Sequence, residues 1–105
     1  MLEIVKQINK TLEIKEELLQ KVTNEEELIN LLSLYIQELI NKDFEHLLWL
    51  LYRIDVGETK VKKAIQEAGP EKTPKIIAQL ILEREKEKIK TRKKYSSNDT
   101  NEWIF

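Results

Sequence analysis

Apolar residues recur along most of this chain at intervals of three and four residues, which is the spacing of an amphipathic α-helix. A wide stripe of this kind runs over residues 24–41 and predicts a centrally packed helix. The first 22 residues instead hold two apolar sets that are out of phase. We therefore expect a short helix over residues 2–10, a joint near Thr11, and a turn or two of helix over residues 15–22.

The segment from Phe44 to Ile54 is the most apolar part of the chain. Six consecutive residues, 47 to 52, leave no polar side for almost two helical turns. A helix that is apolar all round is typically buried on several sides. We expect this helix to form the centre of the fold.

Several residues predict where helices begin. Thr23 or Asn24 precedes three glutamates, and Asp43 precedes Phe44, so both places carry a capping residue and an early acid. Asp55, followed by Glu58 three residues later, shows the same pattern and is expected to cap another helix. A fourth start is indicated at Thr73, because Pro74 after it suits the first helical position.

The helix that begins at Thr73 is expected to run to about Lys94. Its first half carries an apolar stripe, but helical spacing continues that stripe into Arg84, Lys88 and Arg92. The face that enters the core thus becomes basic beyond residue 83. Either the helix leaves the body there, or these cations meet acidic side chains.

Length and composition predict one all-α domain. The chain has 105 residues, 41% of them hydrophobic, with only two glycines and two prolines. We expect a compact bundle of about five helices over residues 1–95, with a long C-terminal helix, and a short flexible tail over residues 96–105.

The charges divide unevenly between the two halves. Residues 1–58 carry twelve acids and six bases, whereas residues 59–105 carry seven acids and twelve bases. Such a division can hold two parts of one molecule together, pair two molecules, or bind a polyanion. The first of these needs the fewest assumptions.

The chain has no cysteine, which excludes disulfides and thiolate chemistry. Its first residues lack the pattern of a secretory signal, and its longest apolar run is far shorter than the roughly 20 residues that cross a bilayer. A cytoplasmic location without membrane contact is therefore expected.

No reaction is indicated. The only histidine, His46, makes an i, i+3 pair with Asp43, but a helical metal site of this kind needs a second such pair. Asp43 as a helix cap is the favoured interpretation. We expect no catalytic residue, cofactor, metal or small-molecule substrate, and an enzyme ranks third among the functions considered.

One segment, Tyr52-Arg53-Ile54-Asp55-Val56, gives the chain a resemblance to other proteins. With residues 43–51 before it and Ile89-Lys90-Thr91-Arg92 later, it resembles a group of short bacterial helical proteins without an assigned activity. The resemblance covers roughly residues 28–95. It implies a stand-alone helical domain and supplies no substrate, cofactor or partner.

The preferred function is a protein–protein interaction module, most simply a homo-oligomer. Leu82 and Ile89 lie seven residues apart and opposite the main apolar stripe, as in a helix shared between subunits. The terminal residues Trp103, Ile104 and Phe105 form an apolar cluster of the kind that marks contact sites. These five residues are the predicted interface, with the chain itself or another protein as partner.

The alternative is a nucleic-acid-binding accessory protein. The candidate phosphate contacts are Arg84, Lys88, Arg92, Lys93 and Lys94. The cations surround the helix instead of forming one footprint, and no nucleic-acid-binding motif accompanies them. A solvated or partner-pairing helix is therefore favoured over this alternative.

Overall fold

The computed structural model describes the backbone of residues 2–102 and the side chains of residues 3–93. The protein is 84% helical, with no strand among the described residues, which confirms the predicted all-α bundle with a long C-terminal helix. The helices are α1 (Leu2–Leu12), α2 (Glu16–Gln20), α3 (Glu25–Lys42), α4 (Phe44–Ile54), α5 (Glu58–Ala68) and α6 (Thr73–Glu102). None of the helices in the described part is both long enough and apolar enough to cross a bilayer.

The longest helix, α6, is the centre of the fold. Helices α1, α3, α4 and α5 all pack against it. Beyond its first turn, the buried side chains among its described residues repeat at helical spacing and are Ile77, Ala78, Ile81, Leu82, Glu85 and Ile89. The prediction that residues 44–54 form the centre is therefore wrong, because α4 packs by one side only.

Helices α1, α3 and α4 contribute matching stripes to a single core. Each of these stripes repeats every three or four residues, which places its members on one helical face. The buried residues are Ile4, Ile8 and Leu12 of α1, Leu28, Leu32 and Ile36 of α3, and Leu47, Leu50 and Ile54 of α4.

Two predicted helix starts are confirmed by their caps. The Asn24 side chain accepts a hydrogen bond from the Glu27 backbone N–H at 2.9 Å, while the Glu27 carboxylate accepts one from the Thr23 N–H at 3.0 Å. Asp43 Oδ1 accepts from the His46 backbone N–H at 3.2 Å. Helix α6 also begins at Thr73, as predicted.

Asp55 ends a helix instead of starting one, so this prediction is wrong. Its backbone is left-handed (φ 64°, ψ 51°), a conformation that aspartate tolerates better than most residues. Its N–H donates to the Leu51 carbonyl at 3.0 Å, and the Val56 N–H reaches the same oxygen at 3.2 Å. The next helix begins only at Glu58, after Gly57.

A joint is present near the N-terminus as predicted, but it lies at residues 13–15 and not at Thr11, which is inside α1. Glu13 is left-handed (φ 56°), and the Asn9 side chain donates to the Ile14 carbonyl at 2.8 Å. The Tyr35 hydroxyl donates to the Leu12 carbonyl at 3.2 Å and ties α3 to the end of α1. Burial raises the pKa of Tyr35, with nearby acids adding to the effect, so the phenol remains a donor.

Among the described residues, the core contains one carboxyl group, that of Glu85 on α6. Its side chain is fully buried, and Oε2 accepts a hydrogen bond from Gln7 Nε2 of α1 at 2.8 Å. Oε1 has no hydrogen-bond partner within the described part of the chain. Gln7 Oε1 in turn accepts from Arg92 Nη1 at 3.3 Å. These two hydrogen bonds join Gln7 of α1 to Glu85 and Arg92 of the central helix, α6.

Candidate interaction surface

The outer face of α4 is a row of uncovered apolar side chains. Phe44, Leu48 and Tyr52 follow one another at four-residue intervals, which places them on one side of the helix. Phe44 and Leu48 are about half exposed, and Tyr52 is 87% exposed. Trp49, beside Leu48, is also half exposed. We call these four residues the α4 face.

Polar neighbours hold the indole ring of Trp49 in place. The ring centroids of His46 and Trp49 lie 5.6 Å apart at an interplanar angle of 17°, so the two rings are stacked. The guanidinium carbon of Arg53 lies 5.2 Å from the centroid of the Trp49 ring, within cation–π distance. The indole is thus fixed at one edge of the α4 face, between an imidazole and a cation.

Helix α4 is anchored at both ends and along one side, despite its uncovered face. It is capped at its start by Asp43 and closed at its end by the left-handed Asp55. Leu47, Leu50 and Ile54, on the side opposite the row, anchor it in the core. The α4 face is therefore presented by a fixed helix.

The sequence prediction of an interface at Leu82 and Ile89 is not supported by their positions. Both residues are buried in the core, at 3% and 8% exposure. They face inward, toward the helices that pack along this side of α6, so the line that they form is part of the fold and not a surface. The other three predicted interface residues, Trp103, Ile104 and Phe105, lie outside the described residues, and residues 96–102 of the predicted tail are described only as backbone of α6.

The cations of α6 meet acidic residues of the first half of the chain. Arg84 reaches Asp55 with Nη2 at 3.5 Å from Oδ2 and with Nε at 3.1 Å from the backbone carbonyl. Lys93 Nζ lies 2.8 Å from Glu3 Oε2, and Lys86 pairs with Glu25. The opposite charges of the two halves thus connect parts of one molecule, and the helix stays on the body beyond residue 83.

The candidate phosphate contacts do not form a continuous basic surface among the described residues. Arg92 donates to Gln7, and Arg84 also pairs with Glu87 at 3.2 Å. Lys88 is half-buried, and for Lys94 only the backbone is described.

A shallow cleft lies where the ion pairs join α1, α3 and α6. Its volume is about 560 Å³, and it is lined by Glu3, Ile4, Thr23, Asn24, Glu25, Lys86, Ile89, Lys90 and Lys93. Two of its three lysines already contact its two carboxylates. The Lys93 ammonium holds the pKa of Glu3 below its usual value, mainly by their hydrogen bond. Both carboxylates of this cleft are thus already paired with cations of the same chain.

The pair of Asp43 and His46 has a structural role. The carboxylate accepts from the backbone N–H of His46, and the imidazole lies against Trp49. Within the described residues, no three acidic or histidine side chains come close enough together to hold a metal ion.

No family model, curated protein or solved structure matches this chain. The α4 face is therefore defined by its physical features alone. Sequence reasoning identified its residues as apolar but assigned them to the core. The usable signal was the isolation of α4 between Asp43 and Asp55, since an 11-residue helix has few neighbours with which to cover it on every side.

Proposed function

We propose that this protein is a protein–protein interaction module whose docking surface is the α4 face. The single observation that carries the proposal is the uncovered row of Phe44, Leu48 and Tyr52 on a helix fixed at both ends. No chemical reaction is part of the proposed role, and the cytoplasm is its proposed location.

The size of the exposed surface supports the proposal. Three aromatic rings and one leucine, half or more exposed, present roughly 500 Å² of apolar area. The largest apolar patch on a typical monomer is about 300–600 Å² and is often functional. Tyrosine and tryptophan are also the residues that most often dominate binding energy at protein interfaces. The composition of the α4 face is thus that of a binding surface.

Nucleic-acid binding by α6 remains the alternative proposal, with weaker support. Arg84 and Lys93, two of its candidate contacts, already lie against carboxylates of the same chain. Phosphate contact would have to compete with these pairs. The alternative predicts an affinity for duplex DNA or RNA that falls steeply with salt, measurable by fluorescence anisotropy.

Site-specific photo-crosslinking tests the proposed function even though the partner has not been identified. A photoreactive phenylalanine analogue replaces Leu48 in cells that produce the chain, and adducts are identified by mass spectrometry. The matched control carries the analogue at Leu34, which is 71% exposed and lies on α3, facing away from that helix's buried stripe.

The expected result is one predominant protein adduct at position 48 that is missing at position 34. Equal labelling at both positions, or no adduct at 48, contradicts the proposed function. A variant that fails to fold is recognised beforehand by the loss of its helical circular dichroism.

A further inference from the structure

We infer that the α4 face binds a second copy of itself, with the two α4 helices antiparallel and related by a twofold axis that passes beside Leu48. This inference rests on the proposed function, because it names the partner of the same surface. Self-association is also predicted from the sequence, but through Leu82 and Ile89, which are buried. The inference assigns it to the α4 face instead.

The first argument is the symmetry of the row itself. Phe44 and Tyr52 each lie four residues from Leu48, one on either side, so the order along the helix is aromatic, leucine, aromatic. In a twofold antiparallel pair, residues equally distant from the axis on opposite sides face each other. Phe44 then packs against the partner's Tyr52, and the two Leu48 side chains meet at the centre. At both ends of this contact line between the two α4 helices, which we call the seam, a phenylalanine packs against a tyrosine.

Charge complementarity selects the antiparallel direction. Glu45 and Arg53 lie on the same flank of the row, and eight residues separate them, or about 12 Å along the axis. No ion pair forms at either residue within the described part of the chain. In antiparallel packing about Leu48, Arg53 of one copy and Glu45 of the other lie on the same flank. Their positions along the helix axis then differ by only about 3 Å. In parallel packing, the positions of these two charges along the helix axis would differ by about 12 Å.

The area of the α4 face sets the expected strength of the dimer. Two copies would remove roughly 1,000 Å² of apolar surface from water, to which the charged rim adds. Specific interfaces that bury less than about 1,200 Å² in total are typically weak. The dimer is therefore one that dissociates on dilution, with a dissociation constant on the order of micromolar.

Cross-linking through a single cysteine tests this geometry, because the chain contains no cysteine of its own. In Leu48→Cys, the twofold axis places the two thiols close together, and a short bismaleimide should convert the dimer to a covalent species of twice the chain mass. Leu34→Cys, with its more exposed side chain on α3, keeps the α4 face and should still dimerise, but it should give no covalent species at the same concentration. The mass of the unmodified protein is followed in parallel by light scattering from low micromolar to millimolar concentration.

Charge reversal then tests the direction of the helices. Arg53→Glu or Glu45→Arg alone should raise the dissociation constant about tenfold, because like charges meet at both ends of the seam. The double variant restores opposite charges between the copies, so its dissociation constant should fall back several-fold toward the parent value, short of full recovery because Arg53 no longer contacts Trp49. The two residues are too far apart within one α4 helix to pair intramolecularly, so this recovery reports contact between copies.

The outcomes separate this inference from the proposed function. A monomer at every concentration, together with a photo-adduct to a different protein at position 48, overturns the second copy and leaves the interaction module standing. A dimer that Leu48→Cys does not cross-link overturns the twofold axis at Leu48. No self-association and no adduct of any kind overturns both proposals.

Discussion

Helices α4 and α6 reverse the roles that their sequences suggest. The first is the most apolar segment of the chain, yet its Phe44, Leu48 and Tyr52 face solvent. The second is rich in charge, and it is nevertheless the helix against which the other long helices pack. It even carries a buried carboxyl group at Glu85. Hydrophobicity sets what a helix gains from burial, but neighbouring helices determine which faces are covered.

Length explains much of this difference. A helix of 30 residues extends about 45 Å, enough for several helices to pack along it, whereas one of 11 residues extends about 16 Å. Apart from Glu85, the charged residues described on α6 stay out of the core, because the buried stripe occupies only one side of the helix. The cations on its flanks instead reach acids on α1, α3 and the end of α4.

Matched leucine truncations should give the largest contrast between the two helices. Leu82→Ala on α6 removes a buried side chain, so the free energy of unfolding should fall by about 3 kcal/mol. Leu48→Ala on the α4 face should change it by less than about 1 kcal/mol, because the side chain is half exposed already. Urea denaturation followed by circular dichroism measures both values.

These two variants must be compared at low concentration, so that self-association does not add to the stability of the parent protein. Equal losses for Leu82→Ala and Leu48→Ala would mean that the α4 face is covered in solution even in the monomer. The comparison between the two helices would then be wrong.

Removing the buried carboxyl group should give the next largest effect, in the opposite direction. Glu85→Met keeps an unbranched side chain of similar size but removes a polar group that has one oxygen without a partner. Replacing buried charged or polar groups by apolar ones of similar volume is often neutral or stabilising. We expect a gain of about 1 kcal/mol in the free energy of unfolding.

Glu85→Ala is the control, since it deletes the same carboxyl group but leaves a cavity, and it should destabilise the fold. A loss of stability in Glu85→Met as large as that in Glu85→Ala would show that the hydrogen bond from Gln7 outweighs the burial of the carboxyl group.

The sequence predicted local structure well because local structure depends on neighbours in the chain. The caps at Asn24 and Asp43 and the start at Thr73 were all recognised from short-range patterns. Asp55 was misassigned because aspartate suits both a helix cap and a left-handed residue, and the choice depends on Val56 completing the turn behind it.

The candidate surface was harder to predict because its definition is three-dimensional. Periodicity identified Leu48 and Tyr52 as apolar, but only the packing of α3 and α6 against the opposite side of α4 shows that they are left uncovered. The same limit applies to Leu82 and Ile89, whose stripe looks identical in sequence whether another helix or another molecule covers it. Charge complementarity between the two halves was recognised from sequence, but its individual pairs were not.

A cap variant should show how far α4 depends on its own first turn. Asp43→Ala removes the oxygen that accepts from the His46 N–H, and the expected loss in the free energy of unfolding is about 1 kcal/mol. Asp43→Asn retains an acceptor at the same place and should lose only a few tenths of that amount. Equal losses in both variants would indicate that the charge near the positive helix end, and not the hydrogen bond, is responsible. Thermal unfolding at neutral pH is a sufficient measurement.

The smallest effect concerns the ion pair that attaches the end of α6 to α1. Lys93 holds the pKa of Glu3 below its ordinary value of 4.5, chiefly through their hydrogen bond. Because the folded-state pKa is the lower one, any stabilisation from this pair is present above the unfolded pKa and is lost as the pH falls through the folded pKa. In Lys93→Gln, the Glu3 titration midpoint, followed by carboxyl carbon NMR, should rise towards its ordinary value. Glu58, whose pKa Lys62 lowers on α5, is an internal control and should not move. An unchanged Glu3 midpoint would mean that this cation of α6 is not held against α1 in solution, and the contrast with the uncovered α4 face would weaken accordingly.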